Sequence, residues 1–206
     1  MASLVDIIDA ESRRETFPAA GAFADELRRH YGEATAAVLF YGSCLRENTD
    51  AGLMLDFYVL VDRYRHALGH PLSAAFAALL PPNVYYHEMV FEGRTVRTKV
   101  AVMSLAQFLR GASPDAFTAS VWARFAQPAR ILIAKNNEVR RRVADALAQA
   151  VRTMIACTTP LMDAGFTARE LWLRAKLPRV TPPSCVLNRT RNARPWSRAI
   201  WRALRP

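Results

Sequence analysis

Phe40-Tyr41-Gly42-Ser43-Cys44-Leu45-Arg46-Glu47-Asn48-Thr49-Asp50-Ala51-Gly52-Leu53-Met54-Leu55-Asp56-Phe57-Tyr58-Val59-Leu60-Val61-Asp62 reads as the end of one strand, a turn and a second strand. The first strand, Thr35–Tyr41, is apolar and aromatic and stops at Gly42-Ser43. The second, Leu53–Val61, is a run of β-formers with one charge inside it, Asp56, thirteen residues after Ser43. An unpaired carboxylate is expensive to bury in such a strand, so Asp56 is expected to face a metal, a cation or a cleft. Gly42 lets the backbone approach a ligand closely, and Ser43 offers a hydroxyl and an N–H to a phosphate oxygen. A Mg²⁺ ion held by Asp56, beside phosphates cradled by Gly42 and Ser43, is the chemistry of nucleotidyl transfer.

Outward from this segment, residues 4–16 and 21–31 read as helices split by Pro18 and Gly21. Pro71–Leu80 reads as a helix ended by Pro81-Pro82. Val84–Phe91, the turn Glu92-Gly93 and Thr95–Met103 form a hairpin pattern. Residues 104–110 and 114–126 are expected to be helical. Arg130–Ala134 is either a short strand or the entry to the next helix. Asn136 or Asn137 can cap a long helix to about Cys157, and Thr167 with Glu170 makes a capping box for another. The sum is an α/β (α+β) fold with a mixed sheet flanked by helices. The expected division is residues 1–134, a helical region over 135–177, and a tail over 178–206.

The chain has 206 residues, is 51% hydrophobic and carries a net charge of +10. This composition excludes a disordered chain, a collagen-like fibre and a coiled coil. No apolar run approaches the roughly 18 residues of a membrane span, and the acidic N-terminal segment fits neither a secretory signal nor a transit peptide. The three cysteines are too widely spaced for a zinc site. From Leu171 to Pro206 there is no Asp or Glu, and the nine Lys and Arg there account for nearly all the net charge. After a linker containing Pro178, Pro182 and Pro183, Pro195 can open a helix. At 100° per residue, Trp196, Ile200 and Leu204 share one face, with Trp201 at its margin, and Arg198, Arg202 and Arg205 lie opposite. That pattern suits a helix lying in an anionic membrane surface. Docking on the protein core and binding to nucleic acid are the alternatives, and nucleic acid does not need the apolar stripe.

The Gly-Ser turn followed by a strand Asp resembles the polymerase-β-type nucleotidyltransferase superfamily, although Tyr58 stands where members often have a second carboxylate. Asp62 is roughly 20 Å further along the strand, so Asp50, Glu47 and Glu88 are the candidates for a second ligand. A narrower likeness covers roughly residues 35–175. Tyr41-Gly42-Ser43, Leu55–Asp62, Val84-Tyr85-Tyr86, Gly93-Arg94 through Lys99–Val102, and Arg124 through Gln127-Pro128 resemble, in order and spacing, the mitochondrial-type phosphatidate cytidylyltransferases. This sequence departs from that family in having Cys44 for a Gly and His87 for an Asn.

The resemblance implies CTP and phosphatidic acid as substrates, CDP-diacylglycerol and pyrophosphate as products, and Mg²⁺ as cofactor. Nucleic acid is not expected as a partner. The implied address is peripheral, on the cytoplasmic face of a bacterial inner membrane, or on the matrix face in a mitochondrion. Asp56 would hold the metal, with Lys99 as a second catalytic residue. Gly42, Ser43, Tyr86 and Arg124 would bind the nucleotide. Lys99 shares a strand face with Arg97 and Thr95, reaching a phosphate or lying on an exposed hairpin. Arg124 binds phosphate or caps a helix. Tyr86 stacks on the base or packs in the core. A soluble nucleotidyltransferase acting on a protein, an RNA or a small molecule, and a non-catalytic relative, are the competing functions.

Overall fold

A computed structural model describes residues 2–49, 54–68 and 82–175. Helices α1 (Leu4–Ser12) and α2 (Pro18–Tyr31) precede strand β1 (Thr35–Tyr41), which has the predicted bounds. The short helix α3 (Ser43–Glu47) then leads to β2 (Met54–Val61), and α4 (Tyr64–Leu68) follows. The hairpin is β3 (Asn83–Phe91) and β4 (Arg94–Ser104), and α5 (Leu105–Gly111) and α6 (Trp122–Phe125) come after it. Strand β5 (Ala129–Ala134) settles the two readings of that segment, and α7 (Asn137–Thr158) and α8 (Ala168–Ala175) complete the described chain. No helix among the described residues is long and apolar enough to cross a membrane.

The five strands form one mixed sheet in the order β3-β4-β2-β1-β5. Only the β2–β4 pair is parallel; β1–β2, β1–β5 and β3–β4 are antiparallel. Glu92 and Gly93, both at positive φ, make the two-residue hairpin turn, whose twist matches that of the strands. Strands β1 and β2 read as continuous apolar runs because both faces of the sheet are covered there. On one face Val38, Phe40, Phe57 and Val59 meet Ala20, Phe23 and Leu27 of α2. On the other, Leu39, Tyr58 and Leu60 meet Phe108, Trp122, Phe125, Val143 and Leu147. Among the described residues the second layer does not extend over the hairpin. Val84, Tyr86 and Val90 of β3 are exposed on that side, as are Thr95, Arg97 and Lys99 of β4. The described helices thus leave an open ledge at one edge of the sheet.

Several boundaries differ from the sequence expectation. Helix α1 stops at Ser12 rather than residue 16, and is fixed at its start by a Ser3–Asp6 capping box. Pro18 does not separate two helices but opens α2, where its missing N–H is harmless. The helix expected over 114–126 reduces to Trp122–Phe125. Ser43 begins α3 rather than ending a turn. The Pro71–Leu80 helix, Asp50, and the tail with Trp196, Arg198, Ile200, Trp201, Arg202, Leu204 and Arg205 lie outside the described residues.

At the start of α7, Asn136 accepts a hydrogen bond from the Val139 N–H at 2.9 Å. Because α7 covers the sheet, loss of this cap acts on the whole fold. Asn136→Ala is expected to lower the unfolding free energy by about 1 kcal/mol, read as a shift in the urea midpoint at unchanged slope.

Candidate active site

The site forms where β1 ends. Gly42 sits at φ +97°, and a Cβ placed there would lie 2.5 Å from Asp56 Oδ2. The backbone therefore closes directly on the carboxylate, which only glycine permits. Cys44 does not crowd the turn. It is fully buried, and its thiol donates to the Met54 carbonyl at 3.3 Å, fastening α3 to the start of β2. Burial and the nearby Asp56 charge push the Cys44 thiol pKa up.

Register then sets a row across the sheet. Ala129 pairs with Tyr41, Tyr41 with Asp56, Asp56 with Lys99, and Lys99 with Tyr86. Residues in register on neighbouring strands point to the same face, so Asp56, Lys99 and Tyr86 share the open ledge. Arg124 comes down onto this row from α6. Its Nη1 donates to Tyr58 Oη at 2.8 Å, and its guanidinium lies 5.9 Å from the Tyr41 ring centre and 5.8 Å from that of Tyr58. Arg46, on α3, donates to Gln127 Oε1 at 3.0 Å.

The electrostatics follow from this packing. Burial pushes the Asp56 carboxyl above the usual carboxylate range, although Lys99, Arg124 and Arg46 pull it down. Burial opposes the Arg124 charge, but Tyr58, Tyr41 and Asp56 together outweigh it and hold the guanidinium above its ordinary value. A half-buried carboxylate thus sits among three cations. The charge balance around it is positive and suits a polyanion.

The predicted residues divide clearly. Gly42, Ser43, Asp56, Lys99 and Arg124 converge at the end of β1 and the adjoining row. Tyr86 is not a core residue. It is 53% exposed, and its hydroxyl bonds to Glu88. Tyr58 is fully buried and serves as the seat of Arg124. Among the second-ligand candidates, Glu88 is engaged by Tyr86 and by Arg97 at 3.4 Å, and Glu47 is exposed on α3. Asp62, at the far end of β2, pairs with Lys135 at 3.0 Å. Among the described residues no group of three or more His, Cys, Asp or Glu side chains could hold a metal.

The sequence reading gave no role to Arg46 or to Gln127, although Gln127 belongs to a segment that carries the resemblance. Arg46 carried one usable signal: it is one helical turn beyond Gly42, whose carbonyl accepts its N–H at 3.3 Å.

The Tyr58 hydroxyl is the anchor for Arg124. Tyr58→Phe leaves the ring packing in place and frees the guanidinium. The expected result is a loss of about tenfold in affinity for a polyanion such as inorganic triphosphate with the fold intact, since a hydrogen bond to a charged group contributes about 1.5–3 kcal/mol. Calorimetric titration beside near-ultraviolet circular dichroism checks it.

Comparison with known proteins supplies no relative: no family model matches the chain, and no curated protein matches it.

Proposed function

We propose that the protein transfers a cytidylyl group from CTP to phosphatidic acid, giving CDP-diacylglycerol and pyrophosphate at an anionic membrane surface. The observation that carries this reading is the closure of the Gly42 backbone on Asp56 beside Lys99, Arg124 and Arg46. A turn that brings backbone to a half-buried carboxylate, ringed by cations and open on one side, suits a triphosphate. The sheet also supports a nucleotidyltransferase reading, because the Gly-Ser turn and the Asp strand are adjacent and antiparallel. The choice of CTP and a phospholipid rests on the sequence resemblance.

Mg²⁺ fits this donor set. The ion keeps most of its waters and takes one or two carboxylates together with substrate phosphates. Asp56 would be the protein carboxylate, and Ser43, which follows Gly42 at the start of α3, would offer its hydroxyl. Bound there, the ion would neutralise triphosphate charge.

The chain's own residues do the rest. Gly42 and Ser43 position the phosphates through backbone and hydroxyl. Arg124 and Arg46 offset the charge gathered around the α-phosphate, and Lys99 offsets that of the departing pyrophosphate. Exposed Tyr86 offers a ring face to the base at the outer end of the row. A phosphate oxygen of phosphatidic acid forms the new bond to the α-phosphorus of CTP, and the bond to the bridging α–β oxygen breaks. That acceptor oxygen is already ionised, so no side chain need remove a proton from it. Positioning and charge carry the reaction. The basic, Trp-bearing segment over 195–206 is assigned to the membrane surface, where each basic residue contributes about 1 kcal/mol.

The test is pyrophosphate release from CTP with Mg²⁺ and phosphatidic-acid micelles, beside ATP, GTP and UTP. Release with CTP alone, and only with the lipid, is expected. Release without the lipid would point to a soluble acceptor. No release with any nucleotide, from folded protein, would point to a non-catalytic relative, with Tyr58 marking lost chemistry.

A further inference from the structure

Beside the cationic row lies an apolar groove that the nucleotide chemistry does not use. It has a volume of about 220 Å³ and runs between α1 and the entry to β5, lined by Ile7, Ile8, Phe125, Pro128, Leu147 and Val151. Glu11 also lines it, but its carboxylate is neutralised by Arg130 at 2.9 Å. Ile7 is 56% exposed, so the groove leaves a large apolar side chain in water at its mouth.

The groove adjoins the site. Ala129, which also lines it, is in register with Tyr41, and Tyr41 with Asp56. Two strand spacings separate Ala129 from Asp56, which is about 10 Å. Gln127 on the groove wall is the residue that accepts from Arg46. Phe125 packs on the Tyr41 and Tyr58 rings at 5.3 and 5.0 Å between centres. Phe125, Tyr58 and Ala129 are buried between the groove and Asp56, so the way along the surface from the groove to the cations passes Gln127 and Arg46.

We propose that this groove holds an acyl chain of the phosphatidic-acid acceptor. The lipid then enters from the α1–β5 side, and the nucleotide lies on the β4–β3 side. This rests on the function proposed above. The arrangement matches a molecule with an anionic phosphate about 10 Å from an apolar chain. The phosphate is drawn to Arg46 and Arg124, and the chain removes Ile7 and its neighbours from water. It also orders the substrates for in-line transfer, in which the attacking and leaving oxygens lie on opposite sides of the phosphorus. The acceptor oxygen arrives from β5, and pyrophosphate departs toward Lys99 and Arg97.

The experiment compares kcat/KM for dioleoyl- and dihexanoyl-phosphatidic acid, at saturating CTP, in the wild-type chain and in Ile7→Asp. Ile7 is exposed, so the substitution does not threaten the fold. It places a carboxylate where the long chain would lie. The ratio of long-chain to short-chain kcat/KM is expected to fall about tenfold. Val151→Trp, which fills the groove without adding charge, is expected to lower the same ratio. A ratio unchanged by Ile7→Asp overturns the assignment. If the wild-type chain turns over no phosphatidic acid, the proposed function fails on its own account. The groove is then read by photolabelling with a phosphatidic acid bearing a diazirine at the end of one acyl chain. Label on residues 4–11 or 147–151 supports the groove. Label elsewhere, or there only after residues 176–206 are removed, overturns it and gives the groove to another occupant.

Discussion

Asp56→Asn is expected to lower the proposed nucleotidyl transfer by about 10³-fold while raising the thermal stability of the free protein at neutral pH. The two effects share one origin. Burial holds the Asp56 carboxyl above its usual range even with Lys99, Arg124 and Arg46 nearby. A carboxyl whose pKa is higher in the folded than in the unfolded state binds more protons when folded. Stability therefore falls as pH rises from the ordinary carboxylate range through the raised folded value, and the penalty is fully present above it. Asparagine has no proton to lose and no charge to bury. The variant's advantage in melting temperature is thus expected at pH 7 and expected to vanish below the unfolded carboxylate pKa. In the proposed reaction turnover moves the other way, because a triphosphate held with Mg²⁺ would require the ionised carboxylate. Melting curves from pH 3 to 8 beside pyrophosphate release check both. A stability loss at pH 7 would show that Asp56 is a structural partner of its cations. Retained metal-dependent turnover would remove it as the metal ligand.

How legible this site was depended on how local each cause is. Strand β1 was readable because an apolar run ending in Gly-Ser needs only neighbours in sequence. The shared face of Lys99, Arg97 and Thr95 follows from strand alternation alone, and the hairpin from Glu92-Gly93. The exposure of Tyr86 was not readable, because it depends on where α5, α6 and α7 stop covering the sheet. Arg46 and Gln127 are 81 residues apart in the chain, and nothing in either segment announces the other. Tyr58 looked like a missing carboxylate in the strand pattern. Its buried hydroxyl became an anchor only once α6 had placed Arg124 over it. The expected 114–126 helix failed because Val121, Trp122 and Phe125 have helical spacing, but Ser113-Pro114-Asp115 favours turns. Burial of those three residues required only one helical turn.

Gly42→Ala is expected to be the most damaging single-methyl change at the site, through two separable causes. At φ +97° and ψ −162°, Gly42 occupies a backbone region essentially closed to other residues, which costs about 1–3 kcal/mol to enforce. The new methyl would also stand 2.5 Å from Asp56 Oδ2 and 3.2 Å from Asp56 Cβ. The carboxylate can swing away, but the Asp56 Cβ is fixed by β2, so the β1–β2 pair must also give. Both adjustments take Asp56 out of register with Lys99 and away from Arg124. Activity is expected to fall as far as in Asp56→Asn, and the melting temperature by about 5–10 °C for a loss of a few kcal/mol. The two causes part in the double variant. Asp56→Ala removes the carboxylate atoms that the methyl would meet at 2.5 and 3.3 Å, and leaves the Cβ at 3.2 Å and the backbone requirement in place. Gly42→Ala should therefore lower stability less in the Asp56→Ala background than in the wild type, with a coupling of 0.5 kcal/mol or more, about what residues in contact show. Strict additivity would mean that the glycine serves the turn alone, and that the approach of backbone to carboxylate is not what the sequence is built to allow.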